Sequence, residues 1–215
     1  YYTIWAHQIK TPIASMRLHL QNEDSSFSRR LSDDLFRIEQ YVEMVLMFLR
    51  LDSASTDYVI QEYDLDRIVK QAVKKYASQF INKKIQLRYH PLNTTVLTDE
   101  KWLLFVLEQV LSNALKYTPK GSKIEIYARK ENQMIAISIA DNGKGIADCA
   151  KEKIFDMFYT ADSKVADSRR GLGLGLFLCK SIIQAHGGTI QVADNVPHGT
   201  IFTFTLQAEE VTLNE

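Results

Sequence analysis

The chain has 215 residues, of which 46% are apolar and 24% charged, ordinary values for one or two folded domains that can bury a core. Its 26 Lys and Arg balance 26 Asp and Glu, so the charge gives no footing for a nucleic-acid partner, whose phosphates must be neutralised by excess cations. No apolar run is long enough to span a bilayer, no signal peptide is present, and Cys149 and Cys179 form no CxxC pair and read as reduced thiols of a cytosolic protein.

The sequence begins inside a helical pattern, which reads as a piece excised from a longer protein. Residues 1–22 carry Ile9, Ile13, Met16 and Leu20 on one apolar stripe, and residues 27–55 repeat it with Leu31, Leu35, Ile38, Val42, Val45 and Leu49. The polar link at 22–26 is short, so the two helices are expected as an antiparallel hairpin. Two helices cannot cover their own stripe. A second copy would complete a four-helix bundle as a homodimer; the alternative is packing against the rest of the same chain.

The small polar run 52–57 reads as a boundary, giving domains 1–55 and 56–215. Beyond it the spacing predicts a strand at 58–63, a helix from an Asp64 cap to about residue 80, and a strand at 85–89. A helix follows from Asp99 to Tyr117, ended by Pro119 and Gly121. Residues 123–129 and 134–140 alternate as half-buried antiparallel strands. A helix at 174–185 and strands at 189–192 and 200–206 complete an α+β sandwich, expected as one hairpin-paired sheet under a helical layer.

Four segments carry chemistry-bearing residues. His7, in His7-Gln8-Ile9-Lys10-Thr11-Pro12, lies off the centre of its stripe, and near neutral pH much of its imidazole is the uncharged nucleophile; alone, such a residue is far more often just a surface histidine. Pro12 removes a backbone donor and is expected to bend the helix. Asn113 and Lys116 share a helix face, where an amide oxygen suits Mg²⁺ and an ammonium suits phosphate, or they form a solvated face. Asp141-Asn142-Gly143-Lys144-Gly145 follows a strand, so Asp141 can accept from an exocyclic amine beside closely approaching backbone; the segment also fits a plain turn. Gly171-Leu172-Gly173-Leu174-Gly175 runs into a helix and can wrap amides around phosphates, or act as a hinge. An aromatic cluster at 154–159 reads as the base of a polar loop at 160–170, ending in Arg169 and Arg170, which suits a mobile lid or is a disordered surface loop.

The order of these segments, closed by His198-Gly199-Thr200, resembles the transmitter core of bacterial sensor histidine kinases over essentially the whole chain. Its second half resembles the nucleotide-binding fold of gyrase, Hsp90 and MutL. The resemblance implies a dimeric phosphoacceptor hairpin joined to an ATP-binding α/β sandwich. It implies His7 as the phosphorylated residue and Thr11 at the position implicated in dephosphorylating the partner response regulator. Asn113 corresponds to the Mg²⁺ ligand, and Asp141 to the residue that reads the adenine amine. Lys116, Tyr117, Gly143, Gly145, Arg170, Gly171, Leu172, Gly173, Leu174, Gly175 and Thr200 correspond to the nucleotide's surroundings. The implied cofactors are ATP and Mg²⁺, and the implied partners are a second copy and a response-regulator receiver domain. The parent is expected at the cytoplasmic face of a bacterial membrane, anchored N-terminal to this segment.

Two positions depart from the pattern. Gln8 stands where the family usually has an acidic base, and an amide cannot take up a proton. Gln109 stands where hydrolysing relatives place a Glu that activates water, which agrees with transfer rather than hydrolysis; Glu108 is turned away by about 100°. The HQIKTP segment is also similar to that of the small kinases that work with antimicrobial-peptide resistance transporters.

Overall fold

The computed structural model describes residues 2–21, 25–51, 58–160 and 171–208. It divides into two compact units, Tyr1–Asp57 and Tyr58–Glu215. The run 52–57 lies outside the described residues.

In the first unit, α1 (Tyr2–Gln21) continues through Pro12, and α2 (Ser26–Leu51) follows. Ser25 and Ser28 cap α2 reciprocally: each backbone N–H donates to the other's hydroxyl, at 3.0 and 3.1 Å. Lys10 pairs with Glu43 at 3.9 Å and Arg17 with Glu39 at 3.2 Å. Partners that descend along α2 as they ascend α1 make the helices antiparallel. The stripe is only partly covered. Ile13 and Leu35 are buried, while Met16, Leu31 and Ile38 remain 47%, 39% and 48% exposed.

The second unit is an α/β sandwich. Its main sheet has five strands, β2 (Gln86–Tyr89), β4 (Lys123–Glu131), β5 (Met134–Asp141), β6 (Ile190–Asp194) and β7 (Thr200–Gln207), in the order β2-β4-β5-β7-β6. Three longer helices, α3 (Leu65–Lys75), α5 (Glu100–Tyr117) and α7 (Gly175–Ala185), form the helical layer, with α5 between the other two. Leu107, Val110 and Leu111 of α5 are fully buried, as are Ile124, Ile126, Ile137 and Phe204 of the sheet. Such burial of a Leu or Ile stabilises by about 1.5–3 kcal/mol each, so the α5–sheet contact holds the unit together.

The structure differs from expectation in four places. Strands β1 (Gln61–Asp64) and β3 (Thr95–Thr98) form a separate antiparallel pair, so there are two sheets. Strand β2 runs parallel to β4 and is not hairpin-paired. The helix expected from Asp64 breaks at Tyr76, which is 1% exposed, and resumes as α4 (Ala77–Lys83). Strand β5 is buried on both faces rather than one. Its small outer residues Ala136, Ser138 and Ala140 sit opposite Arg129, Tyr127 and Glu125, whose long side chains shield them.

The expected caps hold two helices. Asp64 accepts from the N–H groups of Asp66 and Arg67, and Asp99 from those of Lys101 and Trp102. Asp99 also accepts from Val59 N–H at 3.0 Å, tying the segment that enters this unit to the start of α5.

Candidate nucleotide site

Asp141 is the last residue of β5, flanked across the ladder by Ile124 and Thr200. Its side chain points into the protein, and the residue is 4% exposed. Gly143 N–H donates to its Oδ1 at 2.7 Å, and Thr200 N–H to the same oxygen at 3.3 Å. Both donors are backbone and both use one oxygen, so the carboxylate is fixed in orientation while Oδ2 keeps its acceptor capacity. Burial pushes the Asp141 pKa up, and the two backbone hydrogen bonds oppose that rise.

Two glycines make this packing possible. A Cβ on Gly199, where φ is +116°, would lie 1.9 Å from the Asp141 carbonyl oxygen. A Cβ on Gly143 would lie 2.7 Å from Asp141 Oδ1 and 2.8 Å from the Tyr117 carbonyl oxygen. The bare Cα of Gly143 therefore lets the end of α5 press against the strand end, which brings Tyr117 beside Asp141. Lys116 Nζ lies 4.9 Å and Lys144 Nζ 4.7 Å from the centre of the Tyr117 ring, placing two cations at one aromatic surface. Asn113, one turn back on α5, is half-buried, and Lys116 is exposed.

The loop before β7 closes this side. Asn195 Nδ2 donates to the Asp141 carbonyl at 2.8 Å, and His198 Nδ1 lies 3.3 Å from the Gly143 carbonyl. Sequence reasoning gave no role to Lys144 or Asn195. Lys144 stood inside a quoted segment; Asn195 carried no signal beyond its turn-rich neighbourhood.

The second glycine run is held by the aromatic segment before it. Phe158, at φ +63°, donates its N–H to Gly173 O at 2.9 Å. A Cβ on Gly173, at φ +68°, would lie 2.6 Å from the Phe158 backbone. Gly171 and Leu172 precede this point, Leu174 is buried, and Gly175 opens α7, which packs beside α5. Arg170 and the rest of 161–170 lie outside the described residues. Glu108 and Gln109 are both 7% exposed, and Glu108 Oε2 takes an ion pair from Lys75 Nζ at 2.5 Å across α3 and α5.

His7 lies in α1, and its side chain is outside the described ones. Gln8 and Thr11, on the same helix, are exposed. Among the described residues no three His, Cys, Asp or Glu side chains converge as a metal cage. A cation taken by the Asn113 amide would share its ligands with a bound anion.

Residues 98–210 match the family described as histidine kinase-, DNA gyrase B-, and HSP90-like ATPase. The chain belongs to that family. The match covers β7, β5, the Asp141 turn and all of α5, the elements that frame the site. Within that family the chain is similar over nearly its whole length to bacterial sensor proteins. It is 31% identical over 215 residues to the sensor protein KdpD of Clostridium acetobutylicum, covering 95% of this chain and 24% of KdpD. It is 31% identical over 206 residues to the sensor protein BceS of Halalkalibacterium halodurans, covering 95% of this chain and 61% of BceS. The chain thus spans less than two thirds of either relative. Among solved structures, full-length ShkA in complex with AMPPNP superposes with a TM-score of 0.70 at 25% identity, covering 97% of this chain and 46% of ShkA. No described helix is long and apolar enough to cross a membrane.

Proposed function

We propose that the chain binds ATP beside α5, phosphorylates itself on His7, and passes the phosphoryl group to an aspartate on a response regulator. The observation that carries this reading is the oriented Asp141 carboxylate, with Oδ1 held by two backbone donors and Oδ2 left for the adenine amine. The AMPPNP bound by ShkA, a structural relative over nearly the whole chain, supports the nucleotide. In this reading residues 1–55 are the dimerisation and phosphoacceptor domain and residues 56–215 the catalytic domain.

Lys116 and the amides of Gly171, Gly173 and Gly175 meet the phosphates, with Gly145, Leu172, Leu174, Tyr117, Arg170 and Thr200 around the nucleotide. Asn113 would hold Mg²⁺, which supplies charge neutralisation along the triphosphate. Catalysis is then mostly positioning and electrostatics. A neutral imidazole nitrogen of His7 forms the new N–P bond as the bridging bond to the β-phosphate breaks and ADP leaves. The ring proton must pass to water or to another group, since Gln8 cannot accept it. Thr11 serves dephosphorylation of the partner regulator. The partly uncovered stripe of α1 and α2 is closed by a second copy, and the parent is anchored to the membrane ahead of this segment. The likeness of the HQIKTP segment, with BceS among the relatives, supports a kinship with the antimicrobial-peptide-sensing kinases.

Intact-mass measurement after incubation with ATP and Mg²⁺ tests the core of this. A gain of one phosphoryl group, lost on brief acid treatment and absent in His7→Ala, is expected. An acid-labile phosphoprotein in His7→Ala would refute the acceptor. Retained ATP with no gain in mass would make the chain a nucleotide-set scaffold instead.

A further inference from the structure

The last turn of α5 carries Lys116 and Tyr117, with Asn113 one turn back, the side chains that face the nucleotide in the reading above. A helix end leaves its final carbonyls without partners inside the helix. Here Ala114 O is taken by Thr118 N–H at 3.0 Å. The next carbonyl, Leu115 O, is taken by a side chain from a different element. Lys83, the last residue of α4, donates from Nζ to Leu115 O and also to Thr118 O, the latter at 3.4 Å. Its own carbonyl accepts from Gly121 N–H at 2.9 Å, so the same residue fixes the loop that leaves α5.

An ammonium at this position does two things. It satisfies carbonyls that are otherwise short of donors, and it places positive charge at the negative end of the α5 dipole. Charge-assisted bonds of this kind are among the stronger ones in proteins. On its other side the same turn is pressed against the first glycine segment, where only the missing Cβ of Gly143 leaves room for the Tyr117 carbonyl. The turn is therefore clamped from two directions. Lys83 sets where the helix ends, and with it the height and rotation at which Asn113, Lys116 and Tyr117 stand relative to Asp141.

We infer that Lys83 is a positioning residue for the nucleotide site, acting on bound nucleotide through the last turn of α5 rather than by contact. This rests on the nucleotide reading of the site. Residue 83 lies outside the matched span of 98–210, and none of the four chemistry-bearing segments contains it.

The test uses the whole 215-residue chain and a fluorescent, non-hydrolysable ATP analogue with Mg²⁺. Lys83→Met keeps the aliphatic stem and removes the donor; Lys83→Arg keeps charge and donors. Lys83→Met is expected to raise the Kd about tenfold, and Lys83→Arg to stay within about threefold of the parent. Thermal unfolding is followed alongside. A purely structural role would lower the melting temperature of Lys83→Met while its folded fraction bound nucleotide as the parent does, and that result would overturn the inference. Lys83→Gln, a neutral donor, provides the second variant; if Met and Gln both abolish cooperative unfolding, Lys83 serves the fold as a whole and the assignment also falls. A parent that binds no nucleotide would instead sink the reading of the site itself.

Discussion

Asp141→Asn separates what the fold needs from what the site needs. Both donors to Asp141, Gly143 N–H and Thr200 N–H, reach Oδ1. An asparagine retains that oxygen as an acceptor, so the two backbone bonds survive. What changes is the other oxygen, which becomes an NH₂ donor, and the charge, which is lost. Burial already favours the protonated form of Asp141. Between the ordinary aspartate pKa and the raised one, the folded chain therefore holds more protons than the unfolded chain. The stability contributed by this group is complete at pH below the ordinary value and is lost as pH rises through the raised one. The Asn variant has no such slope. At neutral pH its unfolding free energy in urea is expected to lie within about 1 kcal/mol of the parent or above it. Binding behaves differently. Loss of a charge-assisted bond to the adenine amine costs about 1.5–3 kcal/mol, or roughly 10- to 150-fold in Kd. A 6-oxo purine offers an acceptor where adenine offers a donor, so inosine triphosphate should lose less than ATP. Titration of both nucleotides, with urea denaturation on the same preparations, reads all of this. Unchanged ATP affinity, or equal losses for the two purines, would refute the assignment of Asp141 as the base-reading group. Collapse of the fold would refute the account of its two backbone donors.

Two further substitutions probe the surroundings. Gly199→Ala sets a Cβ 1.9 Å from the Asp141 carbonyl at a φ of +116°; backbone strain and overpacking together should destabilise the chain by about 2–5 kcal/mol in urea unfolding, and a loss below about 1 kcal/mol would contradict the packing described. Glu108→Ala removes the ion pair with Lys75, whose side chain is 25% exposed beside a 9% exposed glutamate; the expected loss is about 2–4 kcal/mol, tempered by that exposure, with nucleotide affinity of the folded protein unchanged, and a fall in affinity would place Glu108 in the site instead.

The sandwich was readable because its longest elements carry strong local signals. Asp64 and Asp99 announce helices by capping chemistry, and α5 has an apolar face long enough to leave no ambiguity. The misread parts are those that tertiary contacts decide. Strand β3 is four residues long and has no period of its own; it exists because β1 is there to pair with it. The break at Tyr76 follows from burying that ring, which overrides a helical pattern continuous through it. Strand β5 reads as one-sided from its alternation, yet its outer face is covered by residues of β4 that only the register identifies. At the candidate site, the order of short motifs drew Asp141, Gly143, Tyr117 and Thr200 together on paper, and the structure sets these four side by side. Lys144 and Asn195 escaped notice because their positions depend on which way a turn folds, and Lys83 because its contacts with Leu115 and Thr118 span more than thirty residues.

The way Asp141 is held also bears on drug resistance. The two donors to its carboxylate are main-chain amides, which no change of side chain elsewhere can delete, and the neighbouring Gly143 and Gly199 have no space for even a methyl group. A competitive inhibitor anchored on that carboxylate would rest on ground where escape mutations damage the protein before they loosen the drug. Substitutions that evade such a compound are expected at the exposed rim, at Lys116, Lys144 or Leu172, so chemical optimisation should concentrate contacts on the strand end and spend few on the periphery.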